Sequence, residues 1–177
     1  MIYPIYDIGV TTNEVPDKIA VYINFGNCLQ RCTQCHSKHL WENPKEYMCL
    51  SDIIAQVDKQ IELGANYIVI MGGDTNGIEV DLLKVLIEEC SQLAPTMLFS
   101  GQDDTSLLTE TSLDMIKVGA YVEEQGGLLS TITNQKVYRK ETHYIIREGV
   151  VVDTKYILVD ITQKFREGYK CKYGKEN

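Results

Sequence analysis

Three cysteines lie within eight residues of one another near the start of the chain, with the spacing Cys-x3-Cys-x2-Cys at Cys28, Cys32 and Cys35. Thiolates held this close together can bind a soft metal centre such as an iron–sulfur cluster. A cube of four irons that is bound by three cysteines keeps one iron without a protein thiolate. The spacing therefore predicts a cluster with one iron open to a ligand from outside the chain.

Other kinds of cysteine site fit the spacing less well. A two-cluster ferredoxin uses Cys-x2-Cys-x2-Cys-x3-Cys followed by proline, whereas here the spacings are reversed and His36 follows the third cysteine. A structural zinc ion remains an alternative, because His36, His39 or Cys49 could complete a four-ligand site. Disulfides fit poorly, because the chain shows neither a secretory signal nor a regular cysteine framework.

The cysteines follow a predicted strand and begin a long segment without periodicity. Residues 18–25 alternate Ile19, Val21 and Ile23 with largely apolar neighbours, which is typical of a buried parallel strand. Residues 26–47 show no clear period, and loops of that length inside a domain tend to be functional. In α/β folds, ligands bind at the carboxyl ends of the strands, where these cysteines fall.

Strands and helices alternate downstream of this loop. The patterns predict a helix over 51–63 with Ser51 as its N-cap and Gly64 at C′, a strand over 66–71, a helix over 79–93, a strand over 96–100, a helical stretch within 103–113 and a strand over 114–119. Such alternation indicates parallel pairing with right-handed crossovers. The βα units are too few for a closed eightfold barrel, so we expect an α/β fold with an incomplete, open βα barrel-like parallel sheet.

The pattern changes after Gly119. Short C-terminal strands are predicted over 137–139, 143–147, 150–152 and 156–161, with a hairpin turn at Glu148-Gly149. Residues 1–16 carry several turn-forming residues and are predicted to be coil with a short edge strand. We expect one domain over 1–177, with a core over about 17–140, a strand extension over about 141–163 and a basic tail over 164–177.

Charge and hydropathy restrict the classes of partner. The chain has 177 residues and a formal net charge of -8, which argues against a nucleic-acid partner. No uninterrupted apolar run approaches the length that spans a membrane, and no membrane partner is expected. The N-terminal residues lack a basic region followed by an apolar one. We therefore expect a protein of the reducing cytoplasm.

Two further turns follow predicted strands at the same edge of the sheet. Gly72-Gly73-Asp74 ends the strand over 66–71, and glycines at such a place let the backbone approach a ligand closely and adopt a positive φ. Ser100 ends the next strand and carries a hydroxyl to an equivalent position. Gln34 and His36 flank the third cysteine, so they must lie near whatever the cysteines bind.

The cysteine spacing resembles the signature of the radical S-adenosylmethionine enzymes. The resemblance implies a [4Fe-4S] cluster on Cys28, Cys32 and Cys35, with the amino and carboxylate groups of S-adenosyl-L-methionine on the open iron. That family has a Gly-Gly-Glu-like motif at the place of Gly72, Gly73 and Asp74, which binds the methionine amino group; Asp74 is one methylene shorter.

The same resemblance suggests roles for three other residues of the cofactor site. The Ser100 hydroxyl would reach the ribose of S-adenosylmethionine. Many members of the family have an aromatic residue at the position of Gln34, so the adenine contact here would be made by backbone. His36, next to the third cysteine, would lie near whatever the cluster binds, or would instead be a zinc ligand or a hydrogen-bonding residue of the loop.

Two later segments resemble a subfamily, the anaerobic ribonucleoside-triphosphate reductase activating proteins. These segments are the strand–glycine–aromatic stretch 117–121 and the loop 130–138, which ends in an Asn-Gln-x-x-Tyr element at Asn134 and Gln135. The resemblance implies reductive cleavage of S-adenosylmethionine to a 5′-deoxyadenosyl radical, which makes a glycyl radical on the reductase, with a low-potential electron donor such as flavodoxin. Asn134 and Gln135 could order the loop or face the partner protein, and we expect them to order the loop.

Three other functions remain open at this point. The chain could activate another glycyl-radical enzyme, such as a pyruvate formate-lyase, or act on a small molecule. It could be a zinc-stabilised binding module in which a histidine completes the cysteine site. It could also be an iron–sulfur protein that only transfers electrons.

Overall fold

The computed structural model describes the backbone of residues 1–173 and the side chains of residues 1–170. Within them the chain forms an α/β fold around one mixed, open sheet. The strands are β1 (Ile2–Thr11), β2 (Ala20–Phe25), β3 (Glu46–Cys49), β4 (Tyr67–Met71), β5 (Thr96–Phe99), β6 (Met115–Val118), β7 (Lys136–Arg147) and β8 (Val150–Asp160). The helices are α1 (Leu50–Glu62), α2 (Val80–Leu93), α3 (Ser106–Glu110) and α4 (Thr162–Tyr173).

The sheet has a parallel centre and antiparallel flanks. Its strand order is β3-β1-β2-β4-β5-β6-β7-β8. Strands β2, β4, β5 and β6 are parallel, whereas β1 is antiparallel to both of its neighbours and β7 is antiparallel to β6 and β8. The prediction of a parallel sheet is therefore correct for the centre and wrong for the flanks, where hairpin-type pairing needs no crossover helix. In the described residues, β3 and β8 stand at opposite ends of the sheet, which is not closed.

The strand predictions fail at both ends of the chain. Residues 1–16, predicted to be coil with a short edge strand, are largely the ten-residue β1, which lies between β2 and β3 and is not an edge strand; its Tyr3 and Ile5 are buried. The predicted short C-terminal strands are two long strands of one hairpin. Its turn is at Glu148-Gly149 as predicted, and both residues have the positive φ, 50° and 78°, that a tight hairpin turn requires.

Two helix assignments also change. Helix α1 begins at Leu50 with Cys49 as its N-cap residue, so Ser51 lies inside the first turn and is not the predicted cap. Gly64 follows the C-cap with φ 109°, as expected for C′. The predicted basic tail is helical through Tyr173 in α4, and residues 174–177 lie outside the described part of the chain. No helix in the described residues is long and apolar enough to cross a membrane.

The strands bury side chains on both faces of the sheet. One face packs against α1, α2 and α3, and its core includes Val21, Ile23, Ile68, Ile70, Leu86 and Leu98. The alternate residues of the same strands point to the other face, where Val69, Met97 and Met115 pack against Phe165 of α4 and Val15. Tyr169 of α4 also donates its hydroxyl hydrogen to the Glu14 carbonyl, at 2.5 Å. Helix α4 is thereby fixed to the segment between β1 and β2.

Candidate functional site

The four parallel strands end at one edge of the sheet, and their following loops form the candidate site. The cysteine loop follows β2, the Gly72–Asp74 turn follows β4, Ser100 follows β5, and Gly119 follows β6. Each loop begins where a buried apolar strand ends, so the hydrophobic pattern of the strands fixes where the polar residues emerge. The structure thus brings the predicted site residues of separate segments to one edge, as the sequence indicated.

The cysteine loop is held in an irregular conformation by backbone hydrogen bonds. Asn27, Arg31 and Gln34 have positive φ values of 60°, 45° and 57°, which non-glycine residues adopt rarely. The N–H of Cys28 donates to the Leu40 carbonyl at 2.9 Å, and the N–H of Leu29 donates to the Thr75 carbonyl at 2.8 Å. The loop is therefore anchored to its own far end and to the turn after β4.

The three clustered thiols line one small cavity. Cys28, Cys32 and Cys35 are half-buried and reduced, and all three face a cavity of about 190 Å³ whose wall includes Gly72 and Ser100. No group of three or more histidine, cysteine or acidic side chains in the described residues is arranged to hold a metal ion. In a four-iron cube each cysteine binds a different iron, so the three thiols need not converge on one metal ion. The three thiols line one cavity that Gly72 also borders, and this set of donors fits a cluster.

The other described cysteines lie away from this cavity. Cys49 precedes α1, and its sulfur is 3.0 Å from the Ser51 hydroxyl. Cys90 is buried in α2 within the core, where burial raises the pKa of its thiol to about 12. Cys171 lies in α4, and its side chain is outside the described part of the structure. Among the described residues, neither Cys49 nor Cys90 lines the cavity that the three clustered cysteines share.

The glycine turn after β4 has the backbone conformation that the sequence predicted. Gly72 and Gly73 have φ values of 86° and 104°, in the region that favours glycine. A Cβ atom on Gly73 would lie 2.8 Å from Cδ1 of Leu83, and one on Gly72 would lie 2.6 Å from Oδ1 of Asn76. Both positions are therefore closed to larger residues by packing within the chain as well as by conformation.

Asn76 joins the glycine turn to the cysteine loop, a role that no pattern in the sequence indicates. Its Oδ1 accepts a hydrogen bond from the Gly73 N–H at 2.8 Å. Its Nδ2 donates to the Gly26 carbonyl at 2.8 Å and to the Phe25 carbonyl at 3.2 Å. The side chain is 4% exposed, so these bonds are shielded from water. One amide thus fixes the relative position of two loops that the site requires.

Ser100, which lines the cavity, is hydrogen-bonded to Asp74. The Ser100 hydroxyl donates to Oδ2 of Asp74 and accepts a hydrogen bond from the Gln102 N–H at 2.9 Å. Oδ1 of Asp74 is buried without a hydrogen-bond partner. Burial raises the pKa of Asp74 above the usual range, although hydrogen bonds from Ser100 and the local backbone act in the opposite direction. The carboxylate therefore has one free acceptor atom, whereas the Ser100 hydroxyl is already engaged.

Lys117 is a second residue of the site that was not among the predicted site residues. It is the one charged residue of the apolar strand β6, and that isolation was the available signal. Its Nζ donates to the Gly119 carbonyl at 3.0 Å. Burial lowers the pKa of Lys117 to about 8, against the opposing charges of Cys32, Cys35, Asp74 and Glu14. A buried amine therefore lies among the predicted site residues.

A larger cavity adjoins the first on the face of the sheet that carries α4. It has a volume of about 530 Å³, and Cys35, Lys117 and Tyr121 line it together with residues from β2, β4 and β5. The His36 ring makes an edge contact with the Tyr121 ring at 5.5 Å between centroids. Gln34 is exposed, and its side-chain oxygen accepts a bond from Lys38 at 3.5 Å. His36 thus borders the cavity, whereas Gln34 points away from it toward solvent.

The loop after β6 is ordered by the two amides that the sequence indicated. Nδ2 of Asn134 donates to the Ala120 carbonyl at 3.0 Å, and Nε2 of Gln135 donates to the Gly119 carbonyl at 3.3 Å. Gln135 is buried and lines both cavities. The prediction that these residues order the loop agrees with their hydrogen bonds.

The fold and the site together define an α/β protein with an open mixed sheet, whose loops at the carboxyl edge of the parallel strands bring three free thiols to one cavity. No protein-family model, curated protein or solved structure matches the chain.

Proposed function

We propose that the chain is a radical S-adenosylmethionine enzyme, specifically an activase of a glycyl-radical enzyme. The observation that carries the proposal is the convergence of Cys28, Cys32 and Cys35 with Gly72 and Ser100 on one cavity. When bound, a [4Fe-4S] cluster and S-adenosylmethionine would supply the reducing electron and the 5′-deoxyadenosyl radical. The chain's own task would be to hold, orient and shield them.

The neighbouring polar groups fit the methionine end of S-adenosylmethionine. Oδ1 of Asp74 is a buried acceptor without a partner, which an ammonium group would satisfy. Lys117 supplies a buried amine whose protonated form favours an anionic group in the same cavity. The positive φ of Gly72 and Gly73 turns the backbone at the end of β4 without a side chain in the way. Ser100 contributes here by orienting Asp74, with which it shares a hydrogen bond.

We further propose that the sheet is an incomplete βα barrel whose interior receives the substrate. The larger cavity is lined by residues of β2, β4, β5 and β6 and by Tyr169 of α4, which fits a sheet that curves around it. The cavity joins the cysteine site through Cys35 and Lys117. A backbone glycine of another protein, presented on a loop, would need an accessible space of this kind. By resemblance of the segments 117–121 and 130–138, the proposed partner is an anaerobic ribonucleoside-triphosphate reductase, with flavodoxin or a similar protein as the electron donor.

Cluster binding and cofactor cleavage test the enzyme class. Protein reconstituted without oxygen should contain about four irons and four sulfides per chain, and dithionite with S-adenosylmethionine should yield 5′-deoxyadenosine. Cys28→Ala, Cys32→Ala and Cys35→Ala should each abolish both results. Cys49→Ala is the matched control and should retain them, because Cys49 contacts Ser51 outside the cavity. One zinc per chain without sulfide would replace the proposal with a zinc-stabilised binding module.

The partner is tested separately once cleavage is established. Incubation with an anaerobic ribonucleotide reductase should produce a glycyl radical visible by electron paramagnetic resonance, and incubation with a pyruvate formate-lyase should not. A signal only with the pyruvate formate-lyase would reassign the partner. An intact cluster that never cleaves S-adenosylmethionine would instead indicate an electron-transfer protein.

A further inference from the structure

The hairpin of β7 and β8 exposes apolar side chains and an open strand edge. Within the described residues, strand β8 is the last strand of the sheet and pairs only with β7. Exposed edges rich in β-branched and aromatic residues tend to pair with another strand unless they are protected. The large apolar side chains of the hairpin that are at least 45% exposed are Tyr144, Ile146, Val150, Val151, Val152, Tyr156 and Ile157.

The alternation of hydrogen-bonded and non-hydrogen-bonded pairs along the hairpin shows which backbone groups face the open edge. The Ile161 N–H donates to the Val137 carbonyl at 2.9 Å, so this position is a hydrogen-bonded pair. Pairs alternate along antiparallel strands, and Thr154, which lies opposite Tyr144, falls in a non-hydrogen-bonded pair. In agreement, the Thr154 N–H donates to its neighbour's carboxylate, Oδ1 of Asp153, at 2.8 Å. The peptide groups of Thr154 and Tyr156 therefore point away from β7.

We propose that β8 pairs antiparallel with β8 of a second copy of this chain, about a twofold axis at Thr154. This register places Asp153 opposite Lys155 of the second copy, twice, because the interface is symmetric. It also places Val151 opposite Ile157 and Val152 opposite Tyr156. Val150–Val152 lie beyond a register shift of β8 on β7, so Asp153–Lys155 is the regular part of the pairing and the apolar residues flank it.

The charges favour this register and a self-partner over the alternatives. An axis moved one residue back would place Asp153 opposite itself, and an axis moved one residue forward would place Lys155 opposite itself. Like charges directly opposite each other destabilise a strand pair. Asp153 and Lys155 lie on either side of Thr154. When a second β8 strand runs antiparallel to the first, each of these residues therefore faces a residue of opposite charge. The second copy therefore satisfies the edge without any other protein.

Charge exchange tests the proposal independently of any enzymatic activity. Wild-type protein, kept reduced, should sediment as a species of twice the 20.1 kDa chain mass, in equilibrium with monomer at low concentration. Asp153→Lys and Lys155→Asp should each weaken self-association about tenfold or more, because each places two like-charge pairs across the interface. An equimolar mixture of the two variants should associate as wild type does, since both cross-strand pairs are then of opposite charge.

Glu148→Lys is the matched control, because it makes the same charge change at the hairpin turn, outside the paired stretch. It should leave the dimer unchanged. Circular dichroism on every variant verifies that the fold is retained. A wild-type chain that is monomeric at all concentrations overturns the proposal. It is equally overturned if the mixture associates no better than its components.

Discussion

Replacement of Asn76 by alanine should destabilise the protein because it leaves two buried backbone groups without their hydrogen-bond partner. The truncation removes the acceptor for the Gly73 N–H and the donor to the Gly26 carbonyl, both at 2.8 Å in the native structure. The side chain is 4% exposed, so water does not readily replace it. A buried polar group left without a partner costs about 1–3 kcal/mol, and two such groups give about 2–6 kcal/mol.

Urea unfolding of Asn76→Ala and wild type measures this loss directly. A domain of this size has a total unfolding free energy of about 5–15 kcal/mol, so the expected change is a large shift of the midpoint. Asn66→Ala is the matched control: its Oδ1 accepts one exposed bond, from the Ile19 N–H at 3.2 Å. Loss of a single exposed hydrogen bond should cost about 0.5–1 kcal/mol.

A second measurement separates the local from the global effect. Asn76 holds the Gly26 carbonyl, two residues before Cys28, so its loss should loosen the cysteine loop. Under native conditions, the clustered thiols should then react faster with a thiol reagent in Asn76→Ala than in Asn66→Ala. Equal stability of the two variants within about 0.5 kcal/mol would refute the role given to the buried amide.

Two other substitutions test features of the fold and the site. Gly73→Ala should destabilise by about 1–3 kcal/mol more than Gly64→Ala in urea unfolding, because both have a positive φ but only Gly73 faces Leu83 at 2.8 Å; equal losses would contradict the crowding. Asp160→Asn should remove the part of the protein's stability that depends on the ionised Asp160 carboxylate. Burial acts to raise the pKa of Asp160, but hydrogen bonds from Thr162 and nearby cations outweigh burial and hold the pKa below its usual range. Wild type should therefore have a larger free energy of unfolding than Asp160→Asn above about pH 4, and this difference should vanish as the pH falls through the folded-state pKa of Asp160. A difference in free energy that does not change with pH would exclude this role of the carboxylate.

The sequence predicted the centre of the fold because its signals there are local. The alternation in β2, the apolar run of β4 and the helical stripe of α2 lie within single segments. The length of β1 and its place inside the sheet were not predicted because Pro4 and Gly9 suggest turns, whereas its strand conformation depends on pairing with β2 and β3 on either side. The partners of a strand are not visible in its own sequence.

In the candidate site, too, the features that are local in sequence were predicted, and the contacts between distant segments were not. The cysteine spacing and the glycine turn are compact patterns, so their residue types alone indicated a soft-metal site beside a ligand-binding turn. The bridge through Asn76 joins residues 50 and 51 positions apart, and no local pattern predicts such a bond. The hydrogen bond between Ser100 and Asp74 likewise spans 26 positions. The sequence therefore suggested that the Ser100 hydroxyl contacts a ligand, whereas in the structure it binds Asp74.

The contact of α4 with the segment between β1 and β2 has a consequence for biosynthesis. Phe165 and Tyr169 cover Val15 and the adjacent sheet face only after some 150 intervening residues have been made. A chain still emerging from the ribosome therefore exposes the Val69 and Met97 side of its parallel strands until α4 has been translated. Chaperones that recognise apolar surface should accordingly bind the nascent chain before α4 emerges, and should leave it once α4 has docked.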